Sequence, residues 1–364
     1  MKRARPTPAA LLLAIFTLAA CGGAAPAAPS SAAPSTAPAS APAAAKPASP
    51  VASAKPATSG SAAASGAATL NLVQIKAGYP QATITQAPLF VGMDESIFKR
   101  NGVDASIQMI GGPNEIPAVL SNEIQFATVG ATEVANADQK GAGLVMLATI
   151  VDYPFFWLYA DKKYKTVQDL AGQTIGITAA GSSTDSAARL FLNHFGMQGK
   201  VKIAPAGGTQ PSIFAAMTQG GVAAGILSPP VSDKAAKAGF VELVNGVELG
   251  IPMNTAGIVV TRAYLKDHLD VVKSYLKGYQ QGWSFIANPA NQAEVIKVLA
   301  KYTQSDAATV EPGYQAALKV WQASKTPTVN AEAITNLLNL SDDPNVRAVK
   351  PADIVDNSIL QSVQ

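Results

Sequence analysis

Residues able to do chemistry are few and scattered in this chain. There is one cysteine, Cys21, and there are two histidines, His194 and His268. A single cysteine excludes an intramolecular disulfide framework and any multi-cysteine metal site. Neither histidine has a partner at metal-ligand spacing or a nucleophile motif beside it. No G-x-S-x-G occurs, and the turns Gly111-Gly112-Pro113 and Gly207-Gly208-Thr209 match neither a Walker nor a dinucleotide fingerprint, so sharp turns are their expected role. No catalytic residue, metal or cofactor is therefore assigned, and the chemistry left is hydrogen bonding.

The best stretch for it is Gln173–Phe195, QTIGITAAGSSTDSAARLFLNHF. The β-branched run Thr174–Thr178 predicts a strand, and Ala187, Ala188, Leu190, Phe191 and Phe195 recur at helical spacing. Between them lie Gly181, Ser182, Ser183 and Thr184. A strand emptying through such a turn into a helix presents free backbone N–H groups with hydroxyls beside them. The turn lacks Lys, Arg and His, so it can hold an oxygen-bearing group without an evident catalyst. Asp185 and Glu133, in expected first turns of helices facing the cleft, read foremost as complements to the helix N-terminus, with hydrogen bonding to a cationic or polar ligand as the alternative.

The elements that must position this turn occupy only part of the chain. Lys2, Arg3 and Arg5 precede an apolar core, Ala9 to Ala20, too short to span a bilayer as a stable helix. Residues 1–20 are expected to form a signal peptide ending in Leu18-Ala19-Ala20-Cys21, which resembles a bacterial lipobox with Cys21 as the lipidated residue. From Cys21 to residue 68 the composition falls to Ala, Pro, Ser, Thr and Gly, which cannot bury enough apolar surface to offset ordering entropy. Such a tether spans about 35–40 Å as a coil.

The formal net charge of +3 belongs to those segments. Setting aside Lys2, Arg3, Arg5, Lys46 and Lys55 leaves −2 on residues 69–364. With no basic run in that part, nucleic acid is excluded as an expected partner.

Residues 69–364 alternate strand and helix with small or hydroxyl residues after strand ends, the pattern of a parallel or mostly parallel sheet covered on both faces. Expected strands begin at Leu70, Val103, Ile124 and Leu144. A helix is expected over Leu89–Lys99. The aromatic run Phe155-Phe156-Trp157-Leu158-Tyr159, with Tyr153 before it, crosses to a second lobe and is expected to fill core. Ala256–Thr261 is placed back in the first lobe, and long helices follow. Trp283 and Trp321 are expected to pack inside them. The fold class is α/β, with lobe I at 69–155 and 253–364 and lobe II at 156–252. Two crossings between lobes make a hinge beside a cleft.

Three pieces of this pattern resemble one family. Gln86-Ala87-Pro88-Leu89 with Gly92 and Ile97–Val103 is the first. Ala118–Ala127 with Gly130 is the second, and Asp169–Ile177 with Gly181-Ser182 the third. In order, and after a lipobox and tether, they resemble the solute-binding lipoproteins of ABC importers, in the nitrate-, taurine-, sulfonate- and thiamine-precursor-binding branch. The resemblance covers essentially all of residues 69–364. It implies a periplasmic-binding-protein-like fold of two α/β lobes with a ligand cleft and two inter-lobe crossings. It implies a monomeric, non-enzymatic receptor outside the cytoplasmic membrane, anchored through Cys21, that delivers a small polar solute to an ABC permease with a cytoplasmic ATPase.

Carried over position by position, the resemblance places Gln86, Pro88, Gly112, Gly130 and Thr132 on the ligand from one lobe. Gly181, Ser182, Ser183, Thr184 and Pro229 come from the other, and Asn254 or Thr255 from the return crossing. Tyr79, in a turn with little core to fill, joins them. Gln125 stands where the family commonly carries an acidic residue. The absence of Lys and Arg from these loops points to a neutral or singly anionic ligand. A surface-tethered enzyme on the same scaffold, or a sensory lipoprotein without transport, are the other readings.

Overall fold

The computed structural model describes residues 71–364, so the signal segment, Cys21 and the tether lie outside the described residues. Among the described residues, ten strands are arranged in three sheets. β1 (Val73–Tyr79) pairs in parallel with β2 (Val103–Met109), with Val73 opposite Val103 and Tyr79 opposite Met109. β3 (Ala127–Val129) and β4 (Leu144–Val151) flank β10 (Ala256–Thr261), in the order β3-β10-β4. A bridge from Ala77 to Phe126 joins the two groups. The third sheet has the order β7-β6-β8-β5-β9, formed by β5 (Trp157–Ala160), β6 (Thr174–Ile177), β7 (Lys202–Pro205), β8 (Ala224–Leu227) and β9 (Val241–Asn245).

The expected parallel sheet is thus only half the picture. β6 runs parallel to β7 and β8, but β5 runs antiparallel to β8 and β9, and β10 antiparallel to β3 and β4. The strands that break the parallel rule are the two on either side of a change of sheet. The chain enters the five-stranded sheet at β5 and leaves after β9, so it meets each sheet from the opposite end. β4 is apolar on both faces and buried along its whole length, as a central covered strand requires.

Helices cover both sheets: α1 (Ala87–Asp94), α2 (Ile97–Arg100), α3 (Gly112–Leu120), α4 (Ala131–Asp138), α5 (Ser183–His194), α6 (Gln210–Thr218) and α7 (Val231–Lys237). The C-terminal third is helical, with α8 (Arg262–Asp267), α9 (Leu269–Ala287), α10 (Gln292–Thr303), α11 (Ala307–Ser324) and α12 (Ala331–Leu338). The helix expected over Leu89–Lys99 is broken into α1 and α2 at Ser96, which takes a left-handed φ of 54°. The break lets Phe98 turn inward, where it stacks on Tyr275 at 4.9 Å. Phe98 is seated against Gly92 and Gly278, where an added Cβ would fall 2.4 and 2.7 Å from its ring. Sequence periodicity could not register this side-chain docking between distant helices.

The long C-terminal helices supply the largest buried side chains, among them Trp283, Trp321, Tyr275, Tyr279 and Tyr314. α11 also braces the other half of the molecule, because Gly313 lies so close to Pro229 that a Cβ would meet its ring at 2.4 Å. Lys237 Nζ donates to Thr309 Oγ1 at 2.9 Å on the same side. Among the described residues no helix is long and apolar enough to cross a membrane.

Candidate functional site

A cavity of about 680 Å³ opens where the loops after the strand ends of both sheets face one another. That volume lies within the range of small-molecule sites. One wall is built by the segment after β1, the first turns of α3 and α4, and the C-terminal end of β3. The other is built by the β6–α5 turn, the start of α6 and the end of β8, with Phe155, Phe156, Thr255 and Ala256 between them.

Gln86, Gly112, Gly130, Gly181, Ser182, Ser183, Thr184 and Thr255 all line this cavity. The β6–α5 turn has the anticipated shape, with Gly181 at φ 76° and Ser182 as the N-cap, its Oγ accepting from the Asp185 N–H. Its hydroxyls, however, are largely spent on the protein. Ser182 Oγ donates to the Ala179 carbonyl at 2.7 Å, and Thr184 Oγ1 accepts from the Thr178 N–H at 2.9 Å. Ser183 Oγ reaches across the cavity wall to donate to the Thr255 carbonyl at 2.6 Å. The groups left over at the turn are the Ser183 and Thr184 N–H, which have no protein acceptor among the described residues. The serines build the turn and strap it to the opposite wall, and the backbone faces the cavity.

Five candidates lie elsewhere. Tyr79 is buried edge-on against Phe90 at 5.2 Å, because β1 continues through the expected turn. Pro88 sits in the first turn of α1 against Gly282, and Pro229 against Gly313. Asn254 is fully buried, donating through Nδ2 to Asp152 Oδ1 at 3.1 Å and Thr149 Oγ1 at 3.3 Å. Thr132 faces a smaller hollow of about 200 Å³ beside the main cavity. Apart from Tyr79, which the strand takes up, these residues do sit in loops or first turns, but they are packed into the interior or face away from the main cavity.

Asp185 also faces that smaller hollow. It accepts from the Gly181 N–H at 2.8 Å and from Arg189 Nε at 2.8 Å, and Arg189 continues to Asp342 at 2.6 Å. It therefore closes the helix start, as its position suggested. The crossing aromatics divide. Phe155 and Phe156 are cavity wall, whereas Trp157 packs edge-on against Phe155 at 4.8 Å and Tyr159 donates to Glu242 Oε2 at 3.1 Å.

Two buried polar cavity residues, Glu115 and Gln210, escaped the sequence reading. Glu115, in the first turn of α3, is fully buried, and neither carboxyl oxygen has a hydrogen-bond partner. Burial pushes its pKa well above the ordinary carboxyl range, the charge of Glu133 adds to this, and the Thr128 backbone opposes it. Gln210, at the start of α6, uses Oε1 to accept from the Ser228 N–H at 2.6 Å, which fixes the amide and leaves Nε2 unpartnered. Gln81 Oε1 in turn accepts from the Gln210 N–H at 3.3 Å, a second strap between the walls. Glu133 reads foremost as a helix complement in the sequence, with a ligand contact as the alternative. It does accept from the Gly130 N–H at 2.6 Å, but it also lines the cavity, and burial raises its pKa to about 7. An acid amid the apolar run of GPNEIPAVL was the available signal for Glu115.

The NMT1/THI5 like family profile matches residues 83–293, more than half of the chain, and the chain belongs to that family. Its fold is that of periplasmic binding proteins, two α/β lobes. A protein from Bordetella bronchiseptica RB50 superposes with a TM-score of 0.69 at 20% identity, over 80% of this chain and 96% of that one. The periplasmic nitrate-binding protein NrtA from Synechocystis PCC 6803 gives 0.68 at 10% identity, over 80% and 88%. The alkanesulfonate-binding protein SsuA from Xanthomonas axonopodis pv. citri, bound to MOPS, gives 0.60 at 18% identity, over 80% and 97%. No curated protein matches the sequence.

Proposed function

We propose that this chain is the solute-capturing component of an ABC-type importer, held outside the cytoplasmic membrane by a lipid on Cys21. Its two lobes, 69–155 with 253–364 and 156–252, close on a small polar solute and present it to the permease. The observation that carries this reading is the cavity of about 680 Å³ walled by loops of both sheets, with buried polar groups of Gln86, Glu115 and Gln210 left unpartnered in its walls. Buried polar atoms without partners are costly unless something else satisfies them. The straps Ser183–Thr255 and Gln81–Gln210 join the walls through single hydrogen bonds, contacts weak enough to break when the lobes part. Family membership and the likeness to nitrate- and alkanesulfonate-binding proteins support capture of a small solute.

The hydroxyls of the β6–α5 turn are engaged with protein, which favours a binder over an enzyme. Thermal-shift screening of the purified protein against small solutes tests the reading. One saturable ligand should raise the melting temperature in proportion to the logarithm of its concentration, without being consumed. A folded protein that responds to no small solute, or that turns its ligand over, would refute it.

A further inference from the structure

The cavity is lopsided in its polar chemistry. The wall contributed by α3, α4 and the segment before α1 carries oxygens: both carboxyl atoms of Glu115, the Glu133 carboxyl and Gln86 Oε1. The opposite wall offers N–H groups from Gln210 Nε2 and the start of α5. Lys140, exposed at the end of α4, is the only Lys or Arg among the described lining residues. Glu115 is the extreme case. Its side chain is fully enclosed, and the bare Cα of Gly78 gives it room, since a Cβ there would stand 3.2 Å from Oε1. The Tyr275 hydroxyl, which feels the Glu115 charge from α9, makes no bond to it and is itself unpartnered.

Resting on the reading of the chain as a solute receptor, we infer that its ligand is a small organic cation, a protonated amine or an amidine, whose N–H groups are directed at Glu115 and Glu133. A buried carboxylate to which no side chain donates, with only the Thr128 backbone beside it, is completed by a charge-assisted N–H···O bond, among the strongest available in a protein interior. An oxyanion at the same wall would meet two acids and an amide oxygen, with Lys140 at the exposed end of α4 the one cation among the described lining residues. Phe155, Phe156, Ile116 and Pro117 suit an apolar body behind the cationic head. Acceptor atoms at the ligand's far end would meet Gln210 Nε2 and the free N–H groups of α5.

A consequence concerns protons. In the empty protein Glu115 is held toward its neutral form by burial and by the facing Glu133. Docking of a cation favours the carboxylate, so one proton leaves the carboxyl oxygen for solvent as the N–H···O bond forms. Besides Glu133 on α4 and Tyr275 on α9, Lys140 is the charged group on the same cavity.

The test uses the full chain and matched probes on shared skeletons: benzamidine against benzenesulfonate, butylamine against butanesulfonate and butyrate, with nitrate added. The amine and amidine probes should raise the melting temperature while the anions leave it unchanged. Calorimetry in phosphate and Tris buffers at pH 8 and above, where Glu133 is already ionised, should report about one proton released per cation bound. Glu115→Gln should melt no lower than the unaltered protein, since it removes an unpaired buried carboxyl, yet bind benzamidine about tenfold to a hundredfold more weakly. If that variant does not fold, the probe class and proton count on the unaltered protein decide. Binding of the anions with the cations inert would overturn the ligand class and leave solute capture standing. Silence from every probe of either charge would overturn both.

Discussion

Replacing Glu133 by Gln isolates the acidic wall in a single titration. The Glu133 carboxyl stands at about 7 against an ordinary 4.5, because burial penalises the charged form more than the Gly130 N–H and its own N–H favour it. A pKa higher in the folded than in the unfolded chain means that the folded state holds the proton more tightly. Its contribution is then fully present below about pH 4.5 and lost as the pH rises through about 7. The gap of about 2.5 pH units, at about 1.36 kcal/mol each, sets a ceiling of about 3.4 kcal/mol. Partial contact with cavity water reduces this to about 1.5–3 kcal/mol. In Glu133→Gln the amide oxygen can still accept from the Gly130 N–H, so the start of α4 keeps its cap. Urea unfolding of both proteins between pH 4.5 and 8 should show the unaltered chain losing that amount relative to the variant as the pH rises. Parallel stability curves, or a loss in the opposite direction, would refute the reasoning.

Gly130→Ala places a Cβ 2.6 Å from Glu133 Oε2 and within 3.3 Å of both Ser183 Oγ and the Thr255 carbonyl. It should cost about 1–3 kcal/mol by overpacking. Because it wedges the strap between the walls, it should also enlarge the radius of gyration seen by small-angle scattering. Asn254→Ala should behave differently. Loss of its bonds to Asp152 and Thr149 should lower unfolding stability by about 1–3 kcal/mol, while calorimetric ligand affinity stays within about twofold, as Asn254 does not reach the cavity.

Much of this protein is legible in its sequence where local chemistry decides the outcome. Thr174–Ile177 forms a strand because it is a short β-branched run, and Gly181 turns because it alone there tolerates φ 76°. Ser182 caps α5 because its oxygen can reach the Asp185 N–H three residues on. β10 could be assigned to the first group of strands, since a buried apolar run after the second lobe has few other places to go. Gly112, Gly130 and Thr255, which the family resemblance places on the ligand, line the cavity.

Other outcomes depended on partners far away in the chain. Whether Tyr79, Pro88 or Pro229 faces ligand space or core is settled by Phe90, Gly282 and Gly313, which arrive from other elements. Asn254 is claimed by Asp152 and Thr149, about a hundred residues earlier. Glu115 looks like an ordinary first-turn acid, and only the fold around it, with the bare Cα of Gly78 on one side and Tyr275 of α9 nearby, makes it an enclosed carboxyl to which no side chain donates. The sequence by itself determined the turn that closes one wall, since hydrogen bonds within a few residues are local. The tertiary structure alone decided that this turn's hydroxyls are occupied and that the opposing wall is acidic, because burial is a property of the assembled fold.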